Sequence, residues 1–209
     1  MTTTHDQKSQ QALSVEDALR LLREGNQRFM AHEFLHRDFE IQRGATTEGQ
    51  FPFAVILSCI DSRLPTEIIF DQGIGDVFNV RIAGNVLSGN VLGSLEYACK
   101  VAGAKVILVL GHTSCGAVKG ACDHVEMGNL TPLLKKIEPA MAKVHTSPGA
   151  PRNSSNDDFV NQVAQENVRQ SMEGIRKESP ILDEMINQGS IGLFGAMYDI
   201  QTGKVDFDL

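Results

Sequence analysis

Lys105-Val-Ile-Leu-Val-Leu110, followed one glycine later by His112-Thr-Ser-Cys115-Gly116, decides how this chain is read. A strand with one wet face alternates apolar and polar residues. This run does not alternate, so it predicts a strand covered on both faces, as in a layered α/β domain. A polar, glycine-containing run straight after it falls at the carboxyl end of the strand, where open α/β sheets collect ligands.

The same arrangement occurs upstream. Phe53-Ala-Val-Ile-Leu-Ser58 is a second continuous apolar run, and Cys59-Ile-Asp61-Ser62-Arg63 starts where it stops. Asp76–Val80 predicts another strand, leading into Arg81-Ile-Ala-Gly84-Asn85, and Ile191–Tyr198 a further one. Thr202-Gly203 then predicts a hairpin turn with an antiparallel return over Val205–Phe207. Helical spacing separates the strands: Thr66–Phe70 after Pro65, then Leu92, Leu95, Ala98 and Cys99 before Gly103. Further helices are expected from Ser114 or Cys115 to Met127, over Thr131–Val144, through Phe159–Ile175 ending before Pro180, and over 181–188. Residues 147–156 are a turn-rich connector. The expectation is an α/β fold with a mainly parallel sheet, about four parallel strands plus an antiparallel C-terminal strand, flanked by helices.

Ahead of this core lies an N-terminal helical arm. Ser14 with Asp17 has the form of a capping box, opening a helix to about Met30. A second short helix and a loop are expected within residues 31–50, and an arm in this position suits packing on a partner subunit. Residues 1–12 have no apolar period and are expected to be a mobile tail. The whole, 1–209, is expected to be a single domain.

Composition excludes several classes. There are 19 basic and 26 acidic residues, a net charge of −7, and no basic cluster, so nucleic-acid binding has no electrostatic support. No apolar run approaches the ~20 residues that span a bilayer. The N-terminal MTTTHDQKSQQ lacks the apolar core of a signal peptide. A cytoplasmic protein is expected. Four cysteines in a chain of 209 residues do not require a disulfide framework. Cys99 and Cys122 sit in helix-like stretches and read as buried thiols.

Cys59, His112 and Cys115 are different. Two thiolates and an imidazole suit zinc and leave a fourth position open. The alternatives are a closed zinc knot, which usually shows paired C-x₂₋₄-C spacing, and two unrelated buried thiols. Asp61 and Arg63, two apart, project to one side of an extended loop. Such a pair keeps a carboxylate ionised and aimed, or else is a solvated surface ion pair.

Cys-x-Asp-x-Arg, a later His-x-x-Cys-Gly and Arg-x-Ala-Gly-Asn between them resemble the β-class carbonic anhydrases, in motif detail from about Gly49 to Val118. The resemblance implies one zinc per chain on Cys59, His112 and Cys115, and Asp61–Arg63 as a catalytic pair. It implies a substrate pocket finished by Gln50, Phe78, Tyr97 and the Gly116 N–H, as in the plant-type branch. It also implies a homodimer or tetramer with the active site near the dimer interface. In the branch inhibited by bicarbonate, a tryptophan precedes the first cysteine ligand by three positions. Here that residue is Ile56, which implies an open site with Asp61 off the metal.

The implied activity is reversible hydration of carbon dioxide by zinc-bound hydroxide oriented by Asp61. His5, His32, His36, His124 and His145 are candidate proton carriers by their ordinary pKa. The rival expectations are hydrolysis of carbonyl sulfide or carbon disulfide on the same scaffold, and a non-catalytic, zinc-stabilised oligomer.

Overall fold

The computed structural model describes residues 4–209. Its sheet contains β1 (Ala54–Ser58), β2 (Val77–Arg81), β3 (Val106–His112), β4 (Gly192–Tyr198) and β5 (Val205–Asp206), in the order β2-β1-β3-β4-β5. The pairings among β1 to β4 are parallel, and β5 returns antiparallel on β4. Every residue of β1 and β3 is buried, which explains their unbroken apolar runs, whereas β2 at the edge is only half-buried.

The helices are α1 (Gln7–Ala12), α2 (Val15–Ala31), α3 (Phe39–Ala45), α4 (Thr66–Ile69), α5 (Gly89–Glu96), α6 (Gly116–Cys122), α7 (Leu130–Leu134), α8 (Glu138–Lys143), α9 (Asp157–Glu178) and α10 (Pro180–Asn187). The Ser14–Asp17 capping box is present: Asp17 N donates to Ser14 Oγ at 3.0 Å, and Ser14 N to Asp17 Oδ2 at 3.2 Å. Leu22 of α2 is fully buried, as are Phe53, Phe70 and Phe159 around the sheet. Each such side chain contributes about 1.5–3 kcal/mol by leaving water.

The longest helix, α9, lies against β3 and β4. It comes close because the strands carry glycines where it crosses. A Cβ on Gly111 would stand 2.7 Å from Val168 Cγ2 of α9 and 2.6 Å from Met197 Sδ. The C-terminal ends of the parallel strands are therefore fixed in depth as well as in register. Ser58 pairs with both Arg81 and Leu110, so the residues that follow β1, β2 and β3 emerge side by side.

Three expectations are corrected. Residues 7–12 are not a structureless tail: they form α1, capped by Asp6, and Gln10 is buried. Its amide donates to Pro52 O at 2.7 Å and Ala102 O at 2.8 Å, tying the arm to the loops around the sheet. The part of that expectation covering residues 1–3 lies outside the described residues. The helix expected to reach Met127 stops at Cys122, with His124 in the left-handed region at φ 51°. The helix expected over Thr131–Val144 is two, α7 and α8. Pro139 sits in the first turn of α8, and a proline there has no N–H to continue the ladder from α7.

Candidate metal centre

Cys59 follows β1, His112 ends β3, and Cys115 is the N-cap of α6. The loop between His112 and α6 is tight, with Ser114 left-handed at φ 53° and its N–H donating to Asn161 Oδ1 of α9 at 3.0 Å. That turn brings Cys115 back over the strand ends. The two Sγ atoms and a ring nitrogen of His112 all lie within 4.8 Å of one another, and the sulfurs are 3.9 Å apart. The three residues are 3%, 1% and 1% exposed. All four cysteines are free thiols.

The donor set fits a zinc ion on an observation internal to the site. His112 Nδ1 is 2.9 Å from Thr113 O, and a carbonyl only accepts, so Nδ1 carries the proton. Nε2 then holds its lone pair, is buried, and has no hydrogen-bond partner among the described residues. A buried acceptor with its tautomer fixed, facing two thiols, is how an imidazole is presented to a metal. The thiols themselves behave unequally in the protein alone. The hydrogen bond from Cys115 holds the Cys59 thiol below its ordinary range, helped by the N–H groups of Gly84 and Asp61. Cys115 is pushed up, first by that same bond and then by burial. The remaining cysteines are inert by comparison: burial raises Cys99 to about 12 and Cys122 to about 11.

Asp61 and Arg63 form the fork that their spacing suggests. Arg63 Nε donates to Asp61 Oδ1 at 2.9 Å and Nη2 to Oδ2 at 2.8 Å, while the Arg63 N–H adds a third bond at 3.0 Å. These bonds hold the Asp61 carboxyl down to about 2, against the opposing effect of its burial. Asp61 Oδ2 is 3.9 Å from His112 Nε2, so the carboxylate stands at the lip of the sulfur–nitrogen cluster.

Two residues of the Arg81-Ile-Ala-Gly84-Asn85 run do work that spacing alone did not assign. Arg81 donates from Nε to Cys59 O at 3.1 Å and from Nη2 to Asp61 O at 2.6 Å, fixing the backbone that carries ligand and carboxylate. Gly84 donates its N–H to Cys59 Sγ at 3.3 Å. Asn167 was not anticipated as part of this region at all, although it reaches Gly84 O.

Of the other predicted residues, Gly116 directly follows Cys115, Phe78 is on β2, and Tyr97 opens the helical turn that continues α5. Phe78 and Tyr97 meet edge to face with ring centroids 6.2 Å apart. They line an open groove with Asn79, Arg81 and Asn90, and Tyr97 is 51% exposed. Arg81 thus joins that groove to the metal centre. Gln50 is exposed in the loop before β1, and Gly116 is exposed at the start of α6.

Comparison with known proteins agrees with this geometry. The family profile described as "Carbonic anhydrase" matches residues 54–205. The chain is similar to carbonic anhydrase 2 of Mycobacterium tuberculosis, at 36% identity over 90% of this chain and 89% of that protein. It is equally similar to a carbonic anhydrase of Mycolicibacterium smegmatis, at 36% identity over 90% and 91%. In fold it resembles a Coccomyxa β-carbonic anhydrase solved with acetazolamide, with a TM-score of 0.70 and 24% identity over 94% and 87% of the two chains. It also resembles a tetrameric β-carbonic anhydrase of Sordaria macrospora, with a TM-score of 0.69 and 24% identity over 79% and 85%.

Proposed function

The chain belongs to the carbonic anhydrase family, in its β class, and from that premise we propose that it hydrates carbon dioxide reversibly to bicarbonate and a proton. The observation that carries the reading is the unsaturated cluster of Cys59, Cys115 and His112 Nε2 beside a carboxylate locked by arginine. Cys59, His112 and Cys115 would hold one zinc. Bound there with an open position, zinc supplies hydroxide near neutral pH by lowering the pKa of water from 15.7 to about 7.

The chain's own groups do the rest. Asp61, ionised throughout the neutral range, accepts a hydrogen bond from the nucleophile's O–H and turns an oxygen lone pair toward the carbon of carbon dioxide. Arg63 occupies both Asp61 oxygens, which favours the open arrangement with Asp61 off the metal. Arg81 keeps Asp61 and Cys59 in fixed relation through their carbonyls. One C–O bond forms, one C=O π bond is lost, and the released proton passes to buffer. Phe78 and Tyr97 give an apolar approach, and the Gln50 amide and Gly116 N–H donate to substrate oxygens.

These pocket residues fit the reading when a second copy closes the groove, and a homo-oligomer is the proposed active form. The arm offers a face for it, since Phe34, Leu35, Phe39 and Ile41 are exposed. No helix among the described residues is long and apolar enough to cross a membrane. Unpaired thiols suit a reducing cytoplasm.

Stopped-flow hydration of carbon dioxide by zinc-loaded protein tests the reading. The expected result is turnover that scales with zinc content. Full zinc occupancy without a rate above buffer would sink it in favour of a structural zinc, and faster turnover of carbonyl sulfide would reassign the substrate.

A further inference from the structure

Helix α9 carries an unusual row. Val163, Asn167, Ser171 and Ile175 follow one another at four-residue spacing on a single buried face, and two of the four are polar. Both polar side chains reach the same turn after β2. Asn167 Nδ2 donates to Gly84 O at 2.7 Å, and Ser171 Oγ donates to Asn85 O at 3.2 Å.

That turn is tightly confined. Gly84 is left-handed at φ 66°, and a Cβ there would stand 2.8 Å from Ile137 Cδ1 and 3.3 Å from Ala117 Cβ. The peptide joining Gly84 to Asn85 is held at both ends, its N–H on Ile82 O at 2.9 Å and its carbonyl on Asn167. Holding that peptide fixes the dihedral angles of Gly84, and so the direction of the Gly84 N–H that meets Cys59 Sγ at 3.3 Å. Glycine has more backbone wells than any other residue, so without Asn167 this direction is left to the Asn85 N–H bond to Ile82 O at the other end of the peptide.

We infer that Asn167 is a positioning residue for the metal centre. It acts through Gly84, keeping one N–H donor on the Cys59 sulfur and thereby setting how strongly that thiolate donates to the metal. Ser171 steadies the next carbonyl and has no path to the sulfur. The inference rests on the zinc reading above and adds a residue from a helix remote in sequence from every ligand. A hydrogen bond to a thiolate withdraws electron density from it, and outer groups of this kind are worth about 10–100-fold in metal affinity.

Cobalt(II) substitution reads this directly, because the sulfur-to-cobalt charge-transfer band reports thiolate electron density. In Asn167→Ala the band is expected at lower energy, because the sulfur keeps the electron density that the Gly84 N–H draws off in the native protein. Asn167→Ser keeps a shorter donor and is expected to fall between, and it carries the test should Asn167→Ala fail to fold. Ser171→Ala, on the same helix face, is expected to leave the band in place. Bands at the native position in the folded Asn167 variants would reduce Asn167 to a packing role. A shift in Ser171→Ala as large as in Asn167→Ala would overturn the inference equally. Native protein that takes up no cobalt and shows no band would instead remove the zinc reading, and this inference with it.

Discussion

Two buried polar clusters flank the sheet, and they differ in what they leave unmet. Near the arm, Asp71 is spoken for completely. Its carboxylate accepts from Arg28 Nε, from Arg37 Nη1 and from the Leu35 N–H, and Arg37 Nη2 binds its backbone carbonyl. At the strand ends, two sulfurs and His112 Nε2 converge with no complete set of partners. The Asp71 cluster is a clasp, since its carboxylate and carbonyl are met by arginines and an N–H inside the fold. Its one unmet atom among the described residues, Arg37 Nε, is a donor that cannot take a metal. An unsaturated cluster has capacity left for a ligand, because the cost of burying it is not met by the protein alone.

The contrast breaks most sharply on the ligands. Cys115→Ala is expected to lose zinc, measured as metal per chain, and to lower carbon dioxide hydration by at least about 10⁴-fold, since water would return toward its ordinary pKa. The circular-dichroism spectrum should change little, because β3 and α6 keep their own hydrogen bonds. Zinc retained at one per chain would show that the cluster is not the site. Asp61→Asn separates orientation from metal binding. It should keep zinc and fold while losing about 10²–10⁴-fold in kcat/KM, the span of a positioned proton-transfer group. An unchanged rate would make the Asp61–Arg63 fork a surface pair.

The clasp should respond in the opposite currency. Asp71→Ala leaves Arg37, 93% of whose side chain is buried at 7% exposure, without its counter-charge. Removing one partner of a buried pair costs about 3–5 kcal/mol. Urea denaturation should show that loss, while zinc per folded chain stays the same. A fall in zinc content would mean that the two clusters are coupled and the distinction between them fails.

How far the sequence reveals these regions follows from the length scale of each pattern. Unbroken apolar runs located β1 and β3, and the polar motifs after them located Cys59, Asp61, His112 and Cys115, because both signals are local. Register along Ser58, Arg81 and Leu110 then makes those ends neighbours, as a parallel sheet requires. What was not legible depends on contacts between distant segments. Arg81 reads as the start of the run that follows the second strand, and nothing local says that its guanidinium meets two carbonyls of the neighbouring loop. Asn167 gave one signal, a polar residue on an apolar row of α9, and nothing local says which carbonyl it meets. Gln10 illustrates the same limit at the start of the chain. Its polar surroundings suggested a tail, but its two bonds lie 42 and 92 residues away.

A third carboxylate lies between the two cases and gives the smallest test. Asp76, buried before β2, accepts from the Gly73 N–H at 2.7 Å, and its pKa is raised, chiefly because burial penalises the charge. The Gly73 bond and the charges of His5 and Arg37 oppose that shift without cancelling it. With the folded pKa above the ordinary value of 3.8, the native state binds the proton first as pH falls. Stability from this group is therefore present below 3.8 and is lost as pH rises through the folded pKa, leaving an ionised carboxylate that weakens the fold at neutral pH. Asp76→Asn keeps an oxygen for Gly73 and has no charge to bury. It should raise the denaturation midpoint slightly at neutral pH and close the gap to native protein below the window. A variant less stable than native at neutral pH would place Asp76 with Asp71 as a fully compensated carboxylate, and incomplete pairing would no longer distinguish the reactive edge from the clasp.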